Sequence, residues 1–169
     1  MKSMKNLLER LKGMPYFAKS AVIQFGSEMG LSEATVDTYI SRYLKHGDII
    51  KLRRGVYVTA DFLGRHRNDV SYSFYLANVI RMPSYVSSWT ALQYYHLTTE
   101  VIRSVTSVTS KVTRVHETRV GSFSYQSIDE RYFSDFVLVK GAFDFFIATP
   151  AKALFDLLYF RANRFRGVS

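Results

Sequence analysis

The stretch that decides the fold runs from Leu31 to Val58 and reads LSEATVDTYISRYLKHGDIIKLRRGVYV. Ser32 is a good helix N-cap, because its hydroxyl can accept a hydrogen bond from an amide of the first turn. Gly47 suits the left-handed position at which many helices end. Between them, apolar residues recur at helical spacing, at Val36, Ile40, Tyr43 and Leu44. The pattern predicts an amphipathic helix between Ser32 and Gly47.

A short basic hairpin follows this helix. Ile49–Leu52 and Val56–Val58 are β-favouring runs, and Arg53, Arg54 and Gly55 lie between them as the turn. Two further helices are indicated upstream by apolar stripes at Met4, Leu7, Leu8 and Leu11 and, within Phe17–Met29, at Ala21, Val22, Phe25 and Met29. Three helices and a hairpin predict a winged helix-turn-helix, which places a helix in the DNA major groove and the wing beside phosphates.

The chain is expected to contain two domains, a winged helix-turn-helix over residues 1–64 and a mixed α+β domain over residues 65–169. The polar segment Asp61–Asn68 is the best candidate for the boundary or a linker. Predicted helices beyond it are Val70–Met82, Trp89–His96 after a cap at Ser87 or Ser88, and a last helix opened by Thr149 and Pro150. Predicted strands lie within Ser104–Tyr125, Phe136–Lys140 and Phe143–Ala148. Leu154 and Leu158, with Ala153 and Leu157, are expected to face inward. The predicted class is therefore α+β.

The charge of the chain is strongly basic and unevenly distributed. The 169 residues include 23 Lys and Arg against 14 Asp and Glu, a net charge of +9. Residues 1–67 hold 12 basic and 6 acidic side chains, whereas residues 68–169 hold 11 and 8. Charge alone fits a basic protein without a polyanionic partner better than it fits one that binds a polyanion. Its coincidence with the helix and hairpin favours nucleic acid, with duplex DNA as the expected partner.

Polar side chains on the predicted third helix lie away from its apolar stripe. Hydroxyl and guanidinium groups there can reach base edges and phosphates, and basic residues of a hairpin suit phosphate contact or minor-groove insertion. The candidate DNA-binding residues are Ser32, Thr35, Thr38, Tyr39, Arg42, Lys45, Lys51, Arg53 and Arg54. The alternatives are a solvated helix face beside a charged turn, or a winged helix that contacts protein or RNA.

Sequence signatures of enzymes, metals and membranes are lacking. The chain has no P-loop, dinucleotide-binding, HExxH or GxSxG motif, and its four histidines are far apart. We therefore expect no catalytic residue, metal or cofactor, and we interpret Asp144 and Asp156 as surface or capping carboxylates and Trp89 as a packing anchor. The absence of cysteine, of a secretory signal and of a long apolar run predicts a cytoplasmic protein.

Three sequence blocks carry a family resemblance. RRGVYV at 53–58 lies in the predicted wing, SSWTALQYYHL spans 87–97, and TPAKALFDLLY spans 149–159. RGVY is common among winged helices, whereas its combination with the other two blocks is more specific. In this order, over nearly the whole chain, the blocks resemble the AbiEi-type antitoxins of bacterial type IV toxin–antitoxin (abortive infection) systems. Ala151 departs from that pattern, since many relatives have an acid there, and relatives usually continue beyond Arg166, so we expect a short or trimmed member.

The resemblance implies a function in two parts. The winged helix, matched at Ser32–Lys45 and Lys51–Val58, would bind repeats in its own promoter and repress its operon. The C-terminal domain would counteract a cognate nucleotidyltransferase-like toxin of the AbiEii type, with or without direct contact. The runner-up is a winged-helix transcription factor whose second domain senses a ligand or dimerises. A third reading is an enzyme with an unrecognised site in the α+β half.

Overall fold

A computed structural model of the chain describes residues 1–166, and it has a mixed α+β fold. The polypeptide divides into two compact units. The first comprises Met1–Asn68 together with Thr118–Val120, and the second comprises Asp69–Glu117 together with the residues from Gly121 onward. No helix within residues 1–166 combines the length and the apolar character that a membrane crossing requires.

The first unit is built from helices and one small sheet. Its elements are α1 (Lys2–Leu11), β1 (Phe17–Ala18), α2 (Lys19–Glu28), α3 (Glu33–His46), β2 (Ile49–Arg53), β3 (Val56–Thr59) and α4 (Ala60–Arg65). The strands form an antiparallel sheet in the order β1-β3-β2. Phe17 and Ala18, expected to begin the second helix, instead pair with Tyr57 and Val56. Strand pairing with a distant segment therefore overrides the local helical pattern there.

Helix α3 begins and ends at the predicted residues. The Ser32 hydroxyl accepts a hydrogen bond from the Thr35 amide at 3.2 Å, and Gly47 adopts the left-handed conformation with φ of 80°. Its buried residues are Val36, Ile40 and Tyr43, and Leu44 is only partly buried. The Tyr43 hydroxyl donates to the Met4 carbonyl oxygen of α1. The inner face of α3 is thus packed on the core and fixed by a polar contact.

The contact between α2 and α3 is very close at Gly26. This glycine is buried in α2, and a Cβ atom added to it would overlap Cγ2 of Val36 in α3. Val36 is itself fully buried, so its side chain has little space into which it could move. The absence of a side chain at residue 26 therefore sets the distance between the two helices.

The polar segment Asp61–Asn68, interpreted from sequence as a boundary or linker, starts as helix α4. Thr59 caps this helix by accepting a hydrogen bond from the Phe62 amide at 3.2 Å, and the Phe62 side chain is buried. The Arg65 guanidinium donates to the Lys12 carbonyl oxygen at 2.8 Å. This part of the segment consequently packs on the first unit.

We expect Gly26→Ala to destabilise the first unit by about 1–3 kcal/mol, because the new methyl group overpacks the α2–α3 contact. Chemical denaturation followed by circular dichroism measures the change. The matched control is Gly64→Ala in α4, where an added Cβ meets no atom within 4 Å. That control should be neutral or slightly stabilising, since alanine favours a helix over glycine. Equal unfolding midpoints for Gly26→Ala and the unaltered protein would contradict the packing argument.

The second unit is a mixed sheet with three helices. Its elements are α5 (Val70–Ile80), β4 (Ser84–Val86), α6 (Ser88–Tyr94), β5 (Val105–Thr109), β6 (Arg114–Thr118), β7 (Gly121–Ser127), a 3-10 turn (Glu130–Tyr132), β8 (Phe136–Val139), β9 (Phe145–Ala148) and α7 (Pro150–Arg166). The strand order is β6-β7-β5-β4-β9-β8. The β5–β7 and β4–β9 pairs are parallel, whereas β4–β5 and β8–β9 are antiparallel. The expected helices and strands of this half are present, with ends that differ by a few residues.

The inner face of α7 differs from the prediction. Leu154 and Leu158, expected to face inward, are 49% and 57% exposed. The residues of α7 that are buried are Lys152, Ala153 and Asp156. Hydropathy gave the wrong helix phase because two oppositely charged residues, four positions apart, are buried as a pair.

Candidate functional site

The candidate DNA-binding residues all lie on α3, on its N-cap, or on the β2–β3 hairpin of the first unit. At about 100° per residue, the α3 members span an arc of about 120°. Most of this arc faces away from the buried residues, whereas Tyr39 at one end packs against the core and contacts the Tyr43 ring. Thr38, Arg42 and Lys45 are exposed, and Thr35 and Tyr39 are partly buried. On the hairpin, the exposed members are Lys51, Arg53 and Arg54. One helix face and one hairpin of the same unit therefore carry the whole predicted set.

Three hydroxyl groups of this set already take part in helix hydrogen bonds. Ser32 Oγ accepts from the Thr35 amide and lies 2.9 Å from Thr35 Oγ1. Thr38 Oγ1 donates to the Ala34 carbonyl oxygen at 3.0 Å. The oxygen of Thr38 can still accept a hydrogen bond, whereas Ser32 and Thr35 are occupied with the cap. Arg42 and Lys45, by contrast, make no side-chain hydrogen bond or ion pair with any described residue.

The hairpin presents its basic side chains on one side because of its register. Lys51 pairs with Tyr57 and Arg53 pairs with Val56, so Leu52 forms a β-bulge between them. Leu52 is buried while both basic neighbours are exposed. Gly55 forms the turn with φ of 74°, a left-handed conformation that suits glycine.

Acidic side chains of the first unit are mostly neutralised by partners outside the predicted set. Lys19 pairs with Asp37 of α3, with Nζ and Oδ1 2.8 Å apart, and Arg10 pairs with Glu28. The hydrogen bond to Asp37 raises the pKa of Lys19, so the Lys19 ammonium stays charged near neutral pH. Within residues 1–166, the candidate bases Arg42, Lys45, Lys51, Arg53 and Arg54 make no ion pair with a carboxylate. Their charge is therefore available to an anionic partner.

A second polar cluster, which sequence reasoning missed, lies buried in the second unit. Asp156 is fully buried, and Lys152 Nζ lies 2.9 Å from its Oδ1. Tyr85 of β4 and Ser87, just before α6, donate their hydroxyl groups to Oδ2 at 3.0 and 2.7 Å. Lys152 also donates to the Tyr132 carbonyl oxygen at 2.5 Å. The contacts compensate both buried charges, as burial of an ion pair requires.

The interpretation of Asp156 as a surface or capping carboxylate is therefore wrong, whereas Asp144 does cap a turn by accepting from the Gly141 amide at 3.0 Å. Burial, followed by the nearby charge of Asp156, raises the pKa of Tyr85 far above its usual value, so its hydroxyl remains a donor. The sequence signal for the cluster is the spacing of Lys152 and Asp156 by four residues in the TPAKALFD block. The Lys152 ammonium is committed to two acceptors, which suits a structural role.

No group of three or more histidine, aspartate and glutamate residues in the described part of the chain could hold a metal ion. No family model matches the chain, and no curated protein matches it significantly.

We expect Asp156→Ala to destabilise the second unit by about 3–5 kcal/mol, because Lys152 would remain as a buried and unpaired charge. Thermal unfolding followed by near-ultraviolet circular dichroism, which reports on the aromatic residues, measures the loss. Glu130→Ala is the matched control, since it removes an exposed carboxylate of the same unit. A variant at Asp156 as stable as the control would show that the cluster contributes little to the fold.

Proposed function

We propose that the first unit is a winged helix-turn-helix that binds duplex DNA, with α3 in the major groove and the β2–β3 hairpin as the wing. The observation that carries the proposal is that the exposed bases of α3 and of the hairpin make no ion pair with any described carboxylate. The element order supports it, because the hairpin follows directly after the third helix, and β1 completes a small sheet. Such modules read base edges with the helix and hold phosphates with the wing.

The distribution of paired and unpaired charges favours a polyanion over a generic basic surface. A solvated basic face would commonly intermix acids with bases, whereas here Asp37 is paired with Lys19 at the edge of the candidate surface. Arg42, Lys45 and the hairpin bases make no such pairs within the described residues. Neutralisation of phosphates by these groups releases counterions from DNA, which supplies most of the sequence-independent affinity.

We further propose that the chain is an AbiEi-type antitoxin that acts in the cytoplasm and represses its own operon. This part of the proposal rests on the blocks at 53–58, 87–97 and 149–159. The second unit, which has its own core and its own buried ion pair, is the part assigned to counteracting a nucleotidyltransferase-like toxin. The alternative is a transcription factor with a ligand-sensing second domain, and a polar pocket in the second unit, described below, favours that alternative.

We expect DNA affinity to fall steeply with salt and to respond differently to the two elements. With roughly four to eight phosphate contacts, log K should fall by about 0.9 per contact for each unit of log salt. Arg53→Ala and Arg54→Ala should each remove about one phosphate contact, which lowers the slope by about 0.9. Each variant should weaken binding to all sequences alike. Arg42→Ala should instead change the preference among operator sequences.

Fluorescence anisotropy with the promoter and with scrambled duplexes at several salt concentrations measures both effects. Lys5→Ala is the matched control, because it removes one exposed charge from α1 of the same unit. A salt-independent affinity, or a loss with Lys5→Ala as large as that with Arg54→Ala, would contradict the proposed surface. A change of sequence preference in the wing variants alone would reverse the roles of the helix and the hairpin.

We expect repression and toxin neutralisation to be separable. The full chain carrying Arg53→Ala and Arg54→Ala should lose promoter repression and still rescue growth when coexpressed with the neighbouring toxin gene, at matched protein levels. A promoter reporter and a growth assay in the same cells measure the two activities. Loss of rescue in the wing variant would show that toxin neutralisation depends on nucleic-acid binding. Absence of any toxic neighbour would favour the transcription-factor alternative.

A further inference from the structure

A polar pocket of about 240 Å³ lies in the second unit, and neither Lys152 nor Asp156 lines it. Residues of α6, β5, β7 and α7 line it, among them Ser88, Trp89, Gln126, Arg161 and Arg164. Among the described residues, the lining contains two guanidinium groups, three hydroxyl groups and an amide, but no carboxylate. We propose that this pocket, called here the Trp89 pocket, binds a free mononucleotide.

The cationic side of the Trp89 pocket points to a phosphate group. Arg161 and Arg164 are exposed and lie one turn apart on α7. Neither makes an ion pair with any residue in the described range. Two unpaired guanidinium groups on one wall bind phosphate well, because each can donate two parallel hydrogen bonds.

A buried hydroxyl group in the same pocket lacks a partner. Ser88 is 4% exposed, and its Oγ makes no hydrogen bond with any described residue. Its backbone has φ of 53°, a left-handed conformation that is uncommon for serine. An unsatisfied buried hydroxyl costs free energy, and a phosphate oxygen or a bridging water would satisfy it. The wall of the pocket therefore contains a buried hydroxyl group that the described residues leave unsatisfied.

An aromatic surface distinguishes a nucleotide from phosphate alone. The Trp89 ring is partly buried at the pocket, and the Arg161 guanidinium carbon lies 5.7 Å from the ring centroid. Trp89, interpreted from sequence as a packing anchor, thus also lines a cavity. Aromatic rings bind nucleobases by stacking, and the amide of Gln126 can bond to a base edge. The volume of about 240 Å³ lies below the range of roughly 300–1,000 Å³ usual for drug-sized ligands, so part of a bound nucleotide would extend out of the pocket.

The chain offers a direct probe, because Trp89 is its only tryptophan. Titration of the full chain with a nucleoside monophosphate should change tryptophan fluorescence saturably, with excitation at the red edge where nucleotides absorb little. The four monophosphates AMP, GMP, CMP and UMP are tested separately. The best of them should bind at least tenfold more tightly than its nucleoside and than inorganic phosphate, and isothermal titration calorimetry should give the same dissociation constant.

Variants test the assignment of the pocket. Arg161→Ala and Arg164→Ala should each weaken binding at least tenfold, and Ser88→Gly should weaken it while accepting the left-handed backbone. Lys140→Ala is the matched control, since it removes an exposed charge just after β8, at the other edge of the sheet from β7, and should leave binding unchanged. No saturable signal with any monophosphate, or equal losses in Lys140→Ala, would overturn the proposal. Inorganic phosphate as tight as the best nucleotide would remove the role of Trp89 and overturn it equally.

A last comparison separates a free nucleotide from a nucleic-acid strand. A short single-stranded oligonucleotide should bind the Trp89 pocket no more tightly than the best mononucleotide. Tighter binding of the oligonucleotide by tenfold or more would overturn the free-nucleotide assignment. The titrations use no promoter DNA, so their failure would leave the proposed DNA interface of the first unit unaffected.

Discussion

The carboxylate of Asp156 is fully buried, and much of the second unit is arranged to compensate its charge. Its partners come from two places in the chain. Lys152 lies on the same helix, whereas Tyr85 in β4 and Ser87 just before α6 belong to one short segment. A buried charge that lacks one of its partners costs several kcal/mol, so partly assembled arrangements of these elements are unfavourable. The contacts of Asp156 thus connect α7 to β4 and to the start of α6.

In the first unit, close steric packing has the role that the buried charge of Asp156 has in the second unit. Gly26 permits α2 and α3 to approach closely, and Tyr43 fixes α3 to α1 through the Met4 carbonyl oxygen. Burial raises the pKa of Tyr43 to about 12, so this hydroxyl remains a donor at neutral pH. The outer face of α3 then contributes little to the core. Its side chains are free to be selected for binding, which is consistent with the unpaired cations found there.

Local signals in the sequence were reliable, and signals that depend on tertiary partners were not. The ends of α3 were predictable because Ser32 and Gly47 act within one helical turn. Strand β1 was not, because only pairing with β3 makes Phe17 and Ala18 extended. The phase of α7 was missed because Lys152 and Asp156 look like surface residues until their partners are known. The nine DNA-binding candidates and the antitoxin function stay predictions, and the Trp89 pocket required four elements to be brought together.

The tip of the β2–β3 hairpin is anchored from outside the hairpin itself. The Lys19 amide, at the start of α2, donates to the Gly55 carbonyl oxygen at 2.9 Å, and β1 covers the free edge of β3. A hairpin held in this way has little conformational entropy left to lose when it meets a partner, whatever that partner is. Preorganisation of this kind favours rapid association and tolerates little adjustment. Any ligand of this surface must therefore fit the hairpin as it stands.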